Sequence, residues 1–467
     1  MILFIISCCL LILGYTVYGA VVEKVFGIST HKPPAIRHPD EVDYIPFPTY
    51  KAFLIQFLNI AGLGPVFGAI LGAVYGPVCL LWIVFGSIFA GAVHDYLSGM
   101  LSLRHDGKSL IYLMETYFGK KVKFVALFLL ISMLLLVGTI FAKSPAEILG
   151  LITHTSMWIW VMVIFGYYFT ATLLPIDKLI GRFYPVFALC LLISSICLII
   201  ALFMRDIPLF LNFTPTNLHP NGLPVFPLLF VTIACGAISG FHATQSPMMA
   251  RCLKDEKYGR PVFYGAMILE GIVALIWATL GISFYPTTQH LLATITAKDA
   301  GGTVADIATG LLGPIGGIIT IASVVILAIT TGDTCFRSAR LTLADFLKWP
   351  QEKIKFRLML SLLVLAGGIF LSIINVSTIW RYFGWFNQTL AMFTLWLVTV
   401  YLYKTKKCFW ISFVPAVFMT AVSSAYIAYD KLFLNLPVSI AQTIGVFIAL
   451  GSFIGFLLFA KKMNKGN

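Results

Sequence analysis

The chain has 467 residues, 59% of them hydrophobic and 11% charged, with a formal net charge of +13. Soluble globular proteins carry about a quarter charged residues, so this composition excludes a water-soluble fold and predicts a polytopic membrane protein. All but five of the 32 Lys and Arg residues lie in connections after odd-numbered apolar runs or, for Lys123 and Arg357, at the adjoining run edge, the five being Lys143, Arg205, Lys298, Arg381 and Lys431; that asymmetry is the positive-inside pattern and argues against a nucleic-acid-binding surface.

Apolar runs of spanning length fall near 2–21, 52–75, 77–102, 122–142, 156–175, 184–204, 224–244, 261–285, 314–333, 356–374, 382–403, 408–428 and 437–460. They predict an all-α protein with about thirteen transmembrane helices. The charge pattern puts connections 22–51, 103–121, 245–260 and 334–355 in the cytoplasm, with the tail residues Lys461, Lys462 and Lys465, and leaves the N-terminus outside. The first run resembles a signal peptide. No Lys or Arg precedes it and Lys24 follows it, which predicts an uncleaved helix. The nine cysteines are scattered and none forms C-x-x-C; they read as small core residues.

The second run contains LNIAGLGPVFGAILGAVYGP (58–77). Gly64, Gly68, Gly72 and Gly76 form a stripe that suits close helix packing. Asn59, Gly62 and the Gly64–Pro65 pair predict a break as well. Pro65 denies a donor to the carbonyl near residue 61, and within a bilayer freed backbone groups must be covered or face a watery cavity.

In the third run, FAGAVHDYLSG carries His94 and Asp95. Ionisable groups inside spans are functional candidates; the alternative is that Asp95 pairs with His94 or an arginine and only holds helices together. Gly107, Lys108 and Ser109 look like the end of a P-loop, but Ser102 stands where its first glycine belongs and no strand precedes it. ATP is not implied.

The seventh run repeats the character of the second. TIACGAISGFHATQSP (232–247) holds Gly236, Ser239, Gly240, His242, Thr244, Gln245 and Pro247. Glycine- or proline-interrupted helices at matching positions in two halves mark the binding site of inverted-repeat transporters. The two interrupted helices are five spans apart, an odd number, so the second copy is inverted. The predicted organisation is an N-terminal helix and loop (1–51), a transport core (52–403) with repeats at about 52–204 and 224–403, and two further helices (404–467).

Glu270, in AMILEGIVALIW, interrupts the eighth run, which matches the third in the other repeat. Asp95 and Glu270 share a depth of roughly 12–15 Å from the cytoplasmic edge at 1.5 Å per residue. With His94 they are the candidate proton-coupling groups. Asp333, in the ninth run, precedes Arg337 and Arg340 at helical spacing, which predicts an intrahelical salt bridge. Thr330–Asp333 lacks the first glycine of the Gly-x-Gly-Asp that intramembrane aspartyl proteases resemble one another in, and the sole Tyr-Asp pair, Tyr429–Asp430, follows it. Asn387 and Gln388, near Gly384 in the eleventh run, suit interhelical hydrogen bonding or substrate contact. No H-E-x-x-H occurs and the histidines are dispersed. No enzymatic centre, metal centre or cofactor is expected. Channel filters use rings of carbonyls or charges; paired broken helices with mid-membrane carboxyls fit alternating access better.

PAIRHPDEVDYIP (34–46), NIAGLGPVFGAILGA (59–73), FAGAVHDYLSGMLSLRHDGKSL (89–110), FPLLFVTIACGAISGFHA (226–243) and FGWFNQTLAMFTLW (383–396) resemble, as an ordered set, the carbon starvation protein A (CstA) family. That resemblance implies a bacterial inner-membrane transporter of peptides induced under carbon starvation, with relatives that import pyruvate with protons. It also implies the five-plus-five inverted repeat of amino-acid–polyamine–organocation (LeuT-like) transporters. Familiar members are longer than this chain. The combined expectation is proton symport of a small carboxylate-bearing nutrient, a short peptide or pyruvate. Asn59, Gly62, Gly64, Pro65, Gly236, Ser239, Gly240, His242, Asn387 and Gln388 are the expected substrate-binding residues. The alternatives are a membrane nutrient sensor and a channel.

Overall fold

A computed structural model describes residues 2–29, 31–39, 44–173, 176–205, 216–350 and 353–465. The end of the fifth predicted span at 174–175, part of the connection between the predicted repeats at 206–215, and positions 40–43 of the block 34–46 lie outside the described residues. Those described form α1 (Ile2–Phe26), α2 (Thr49–Ala61), α3 (Gly64–Ala73), α4 (Val78–Arg104), α5 (Leu110–Phe118), α6 (Lys120–Thr153), α7 (Met157–Leu173), α8 (Ile176–Met204), α9 (Val225–Thr232), α10 (His242–Ala250), α11 (Glu256–Phe284), α12 (Thr288–Leu347), α13 (Ile354–Leu371), α14 (Val376–Lys404), α15 (Trp410–Tyr429) and α16 (Val438–Lys465), with one turn of helix at Pro34–Arg37. No strand occurs among the described residues. In a bilayer only helices and closed barrels satisfy their own backbone.

Eight of these helices are long and apolar enough to cross a membrane, and α2 with α3, bent by 51°, makes a ninth as a broken span. α7 and α8 contribute the shorter apolar stretches Met157–Ala171 and Ala188–Met204. The predicted seventh span is split into α9 and α10.

Two boundaries differ from the sequence reading. α6 runs on to Thr153, past the predicted end at 142. Lys143 is buried in it and donates to the Ile374 carbonyl at 2.7 Å, so its charge is covered by protein instead of marking a connection. The predicted connection 286–313 is helical too; α12 starts at Thr288 and is interrupted at Asp299 and Gly313, both at positive φ.

α4 and α11 form the centre, with 78% and 83% of their most apolar stretches buried; the figure is 22% for α1 and α16, whose apolar side chains face outward. Connections after the first, third, seventh and eleventh predicted spans gather on one face. Arg104, at the end of α4, donates to the Gly27 carbonyl at 2.5 Å, to Glu256 at 3.1 Å and to the Tyr401 hydroxyl at 3.2 Å. Lys407 donates to the Phe26 carbonyl beside them. On the other face Leu218 N–H bonds the Tyr75 carbonyl and Thr288 bonds the Leu218 carbonyl.

Arg104 therefore ties α1, α4, α11 and α14 together. Removing one partner of a buried ion pair costs about 3–5 kcal/mol. Glu256 is buried, but the Arg104 side chain is 20% exposed, which places Arg104→Ala at or below the lower end of that range. A thermal unfolding scan in detergent should show a clear fall in midpoint, and an unchanged midpoint would remove Arg104 as a tie.

Candidate functional site

The break between α2 and α3 is local in origin. α2 ends at Ala61 and Gly62 takes φ 34°, ψ −150°, which residues with a Cβ rarely adopt. Pro65 follows in a wide π turn, Gly64–Gly68. A Cβ on Gly62 would lie 2.9 Å from the Phe141 ring and 3.2 Å from the Thr331 methyl, so this break faces α6 and α12. Gln56 and Asn59 sit buried on the last turns of α2. Neither amide atom of Gln56 has a hydrogen-bond partner, and Asn59 Oδ1 has none.

The second break is longer. α9 stops at Thr232, and residues 233–241 run irregularly through Gly236 (φ 90°) to α10. The two breaks lie against each other. A Cβ on Gly64 would fall 2.1 Å from Cys235 Cβ, and one on Gly72 2.3 Å from Ile233 side-chain atoms. The glycine stripe of the second span is thus the bed on which the break of the seventh lies. Close packing and interruption, opposed readings of one sequence, are both realised.

Freed carbonyls of the second break are met from neighbouring helices. Trp82 Nε1 donates to Ile233 O at 2.9 Å, Ser87 Oγ to Gly236 O at 2.8 Å and Gln388 Nε2 to Phe230 O at 2.7 Å. Asn387 Oδ1 accepts from Ser239 Oγ at 3.0 Å and from Phe241 N–H at 2.8 Å. The amide pair of the eleventh predicted span braces the break, while Asn387 Nδ2 and Gln388 Oε1 remain without a protein partner. Asn387→Ala strands a buried N–H and a hydroxyl; each unsatisfied group costs about 1–3 kcal/mol. The variant should unfold at lower temperature, with Asn387→Asp losing less because it keeps the acceptor.

A charged cluster follows at the start of α10. His94 Nδ1 lies 2.7 Å from Asp95 Oδ1, and His242 Nδ1 lies 2.8 Å from Asp95 Oδ2. The far edge of the His242 ring, Nε2, is 3.4 Å from Glu270 Oε2. All four side chains are fully buried. The two carboxyls of α4 and α11 thus meet opposite edges of one imidazole on a broken helix. Asp95 accepts from both histidines, which leaves the Nε2 lone pair of a neutral His242 facing a carboxyl. No hydrogen bond closes that gap. Two acceptors at such separation require a cation or a proton between them.

From the other face a cavity of about 840 Å³ descends to the breaks. Phe67 and Thr232 line its inner end, Trp380 packs 6.2 Å from the Phe67 ring, and Glu147, Lys298, Asp299 and Arg381 supply charge. His219 lies against Tyr75 at 4.7 Å between ring centres; burial lowers its pKa.

Among the predicted residues, His94, Asp95, His242 and Glu270 come together, as do Gly64, Pro65 and Gly236 at the crossing of the breaks. Ser239, Gly240 and Asn387 form the brace. Gly62 lies on the opposite side, toward α6 and α12, with Asn59 buried on the last turn of α2 before it. Asp333 is outside both groups, 3.8 Å from Arg337 on its own helix. Ser87, Trp82 and Gln56 escaped the sequence reading because single polar residues in apolar helices carry no spacing signal. Cys235 read as core filling, yet its Sγ lies with His242 and Glu270 donor atoms within 4.8 Å of one another.

A bundle with two crossing broken helices, each flanked by buried polar groups, is the LeuT-like transporter fold. Solved structures bear this out at the level of fold. A manganese transporter from Eremococcus coleocola superposes with a TM-score of 0.62 at 12% identity, covering 91% of this chain and 98% of that one. MhsT in complex with L-phenylalanine gives 0.56 at 16% identity, covering 86% and 97%. The chain belongs to the carbon starvation protein CstA family, which it matches over residues 1–159, 138–311 and 315–425. An uncharacterized membrane protein of Haemophilus influenzae is 44% identical over 62% of this chain and 92% of its own length. The peptide transporter CstA of Escherichia coli is 25% identical over 88% of this chain and 78% of its own. That of Bacillus subtilis is 31% identical over 59% of this chain and 57% of its own.

Proposed function

We propose that this protein is a secondary active transporter that imports a small carboxylate-bearing nutrient, a short peptide or pyruvate, together with protons. The observation that carries the reading is the His242 imidazole held between Asp95 and Glu270 where the two broken helices cross. A proton shared across the gap between Nε2 and Glu270 ties charge in the cluster to the position of α10. Substrate binding at the adjoining break then shifts the same helix. The peptide-transporter names of the relatives support the substrate class, and a cavity of about 840 Å³ has room for a short peptide. Asn59, Gln56 and the backbone around Gly62–Pro65 are the proposed substrate contacts, since buried amide atoms without partners are available there.

The charge rule puts the face with Arg104, Glu256 and Lys407 in the cytoplasm of a bacterial inner membrane, and so puts the large cavity and the N-terminus outside. Repeats at about 52–204 and 224–403, each opening with a broken span, are the proposed moving units.

The experiment uses purified protein in liposomes with an inward proton gradient and labelled pyruvate or a labelled dipeptide outside. Accumulation of one substrate that collapses with an uncoupler is the expected result. Vesicles that contain folded protein and accumulate neither overturn the proton-symport reading and shift weight to the sensor.

A further inference from the structure

We propose that Cys235, His242 and Glu270 form a binding site for a soft divalent cation of the Zn2+ type, and that an occupied site locks the seventh span against α11. The inference concerns the cluster used above and rests on that reading for its effect on transport, but the cation site itself is measured without transport.

The donor set is the first ground. A thiol, an imidazole and a carboxyl are the ligand types that Zn2+ selects, and three protein ligands with an open fourth position is a common arrangement. The three donor atoms already lie within 4.8 Å of one another. Around tetrahedral Zn2+ such donors stand about 3.3–3.8 Å apart, so about 1 Å of side-chain closure completes the triad.

The second ground is independent of ligand type. His242 Nε2 and Glu270 Oε2 are fully buried and lie 3.4 Å apart with no hydrogen bond between them. Buried acceptors facing one another are costly to leave unpaired, and a cation satisfies both at once.

The third is the outer side of the histidine. Metal-ligating histidines hand their other ring N–H to a carboxylate, which fixes the tautomer and aims the lone pair. Asp95 Oδ2 accepts from His242 Nδ1 at 2.8 Å and is itself held by His94 at 2.7 Å. The histidine is therefore already oriented as a ligand. Thr232, on the wall of the large cavity, is three residues along the chain from Cys235. On binding, the Cys235 thiol releases its proton to water and the thiolate, the imidazole and the Glu270 carboxylate fill three positions, with water in the fourth.

Occupation has a mechanical consequence. Cys235 lies in the irregular segment, His242 opens α10 and Glu270 belongs to α11. One ion joins all three and fills the gap between His242 and Glu270, so Zn2+ should inhibit uptake by holding the break in one position.

The test titrates the purified, folded full-length chain with Co2+ as a spectroscopic probe for Zn2+. The expected result is one ion per chain with tetrahedral visible bands and a thiolate charge-transfer band, displaced by Zn2+. Cys235→Ser should remove the charge-transfer band and Glu270→Gln should weaken binding at least tenfold, so whichever variant folds decides. Cys79→Ser, a buried thiol elsewhere, should keep the signal. Asp95→Asn should weaken Co2+ binding by about 10- to 100-fold, as loss of an outer partner does. Folded wild-type protein without such bands, or bands that survive in Cys235→Ser, overturn the cation site. If Co2+ binds as described and no substrate accumulates in liposomes, the cation site stands and the transport reading falls; uptake without Co2+ binding gives the reverse.

Discussion

Asp95→Asn is expected to abolish gradient-driven accumulation while substrate still equilibrates across the membrane. Asp95 is the one group that accepts from both buried histidines, at 2.7 and 2.8 Å. An asparagine in its place keeps one carbonyl oxygen and presents an NH2 group to the second imidazole. One histidine must then turn its tautomer or lose its partner, and a stranded buried polar group costs about 1–3 kcal/mol. The fixed negative charge at the Nδ1 edge of His242 is gone as well, so protonation of the ring is left with Glu270, 3.4 Å from Nε2, as its carboxyl neighbour. The proposed substrate contacts at the Gly62–Pro65 break, on the side of α6 and α12, do not include Asp95. Counterflow of labelled substrate should therefore persist while uphill uptake falls to the level of empty vesicles. The thermal midpoint should drop modestly. An Asp95→Asn protein that accumulates substrate like wild type would sink the coupling role and leave Asp95 as a helix tie.

Gly240→Ala is expected to be among the most damaging single-methyl changes in the molecule's core. A Cβ there would lie 2.3 Å from Asn387 O and 2.5 Å from Ala391 N, both backbone atoms of α14. A clash with a side chain can be relieved by a new rotamer. A clash with helix backbone moves the helix, and overpacking of this kind costs about 1–3 kcal/mol or more. The displacement acts on the brace itself, because Asn387 Oδ1 holds Ser239 and Phe241 on either side of the glycine. Uptake should be lost and the thermal midpoint lowered together. Gly455→Ala, where a Cβ meets nothing within 4 Å, should change neither. A Gly240→Ala protein with normal stability and uptake would show that the break is not held by its contact with α14.

Much of the site was legible because a bilayer makes exceptions conspicuous. Asp95, Glu270, His94 and His242 stood out as polar groups in runs that tolerate few, and Gly62, Pro65 and Gly236 as residues that interrupt helices. The five-span offset indicated which helices to compare. Cys235 was invisible, since a thiol in an apolar run is ordinary until its neighbours are known. Lys143 was misplaced because one charge near a predicted end looks like a connection, and only its bond to Ile374 O shows that α6 carries it onward.

By itself the sequence determined the all-helical class, the alternation of connections between two faces and the two interrupted spans. Hydropathy, charge asymmetry and backbone-breaking residues act locally, so each is written along the chain. Only the tertiary structure decided that the carboxyls of α4 and α11 share one imidazole, that Asn387 caps the broken seventh span, and that the glycine stripe of α3 is the bed for Cys235. Such contacts join Asp95 to His242, 147 positions apart, and Ser239 to Asn387, 148 positions apart. They follow from the crossing of two helices, which no local spacing encodes.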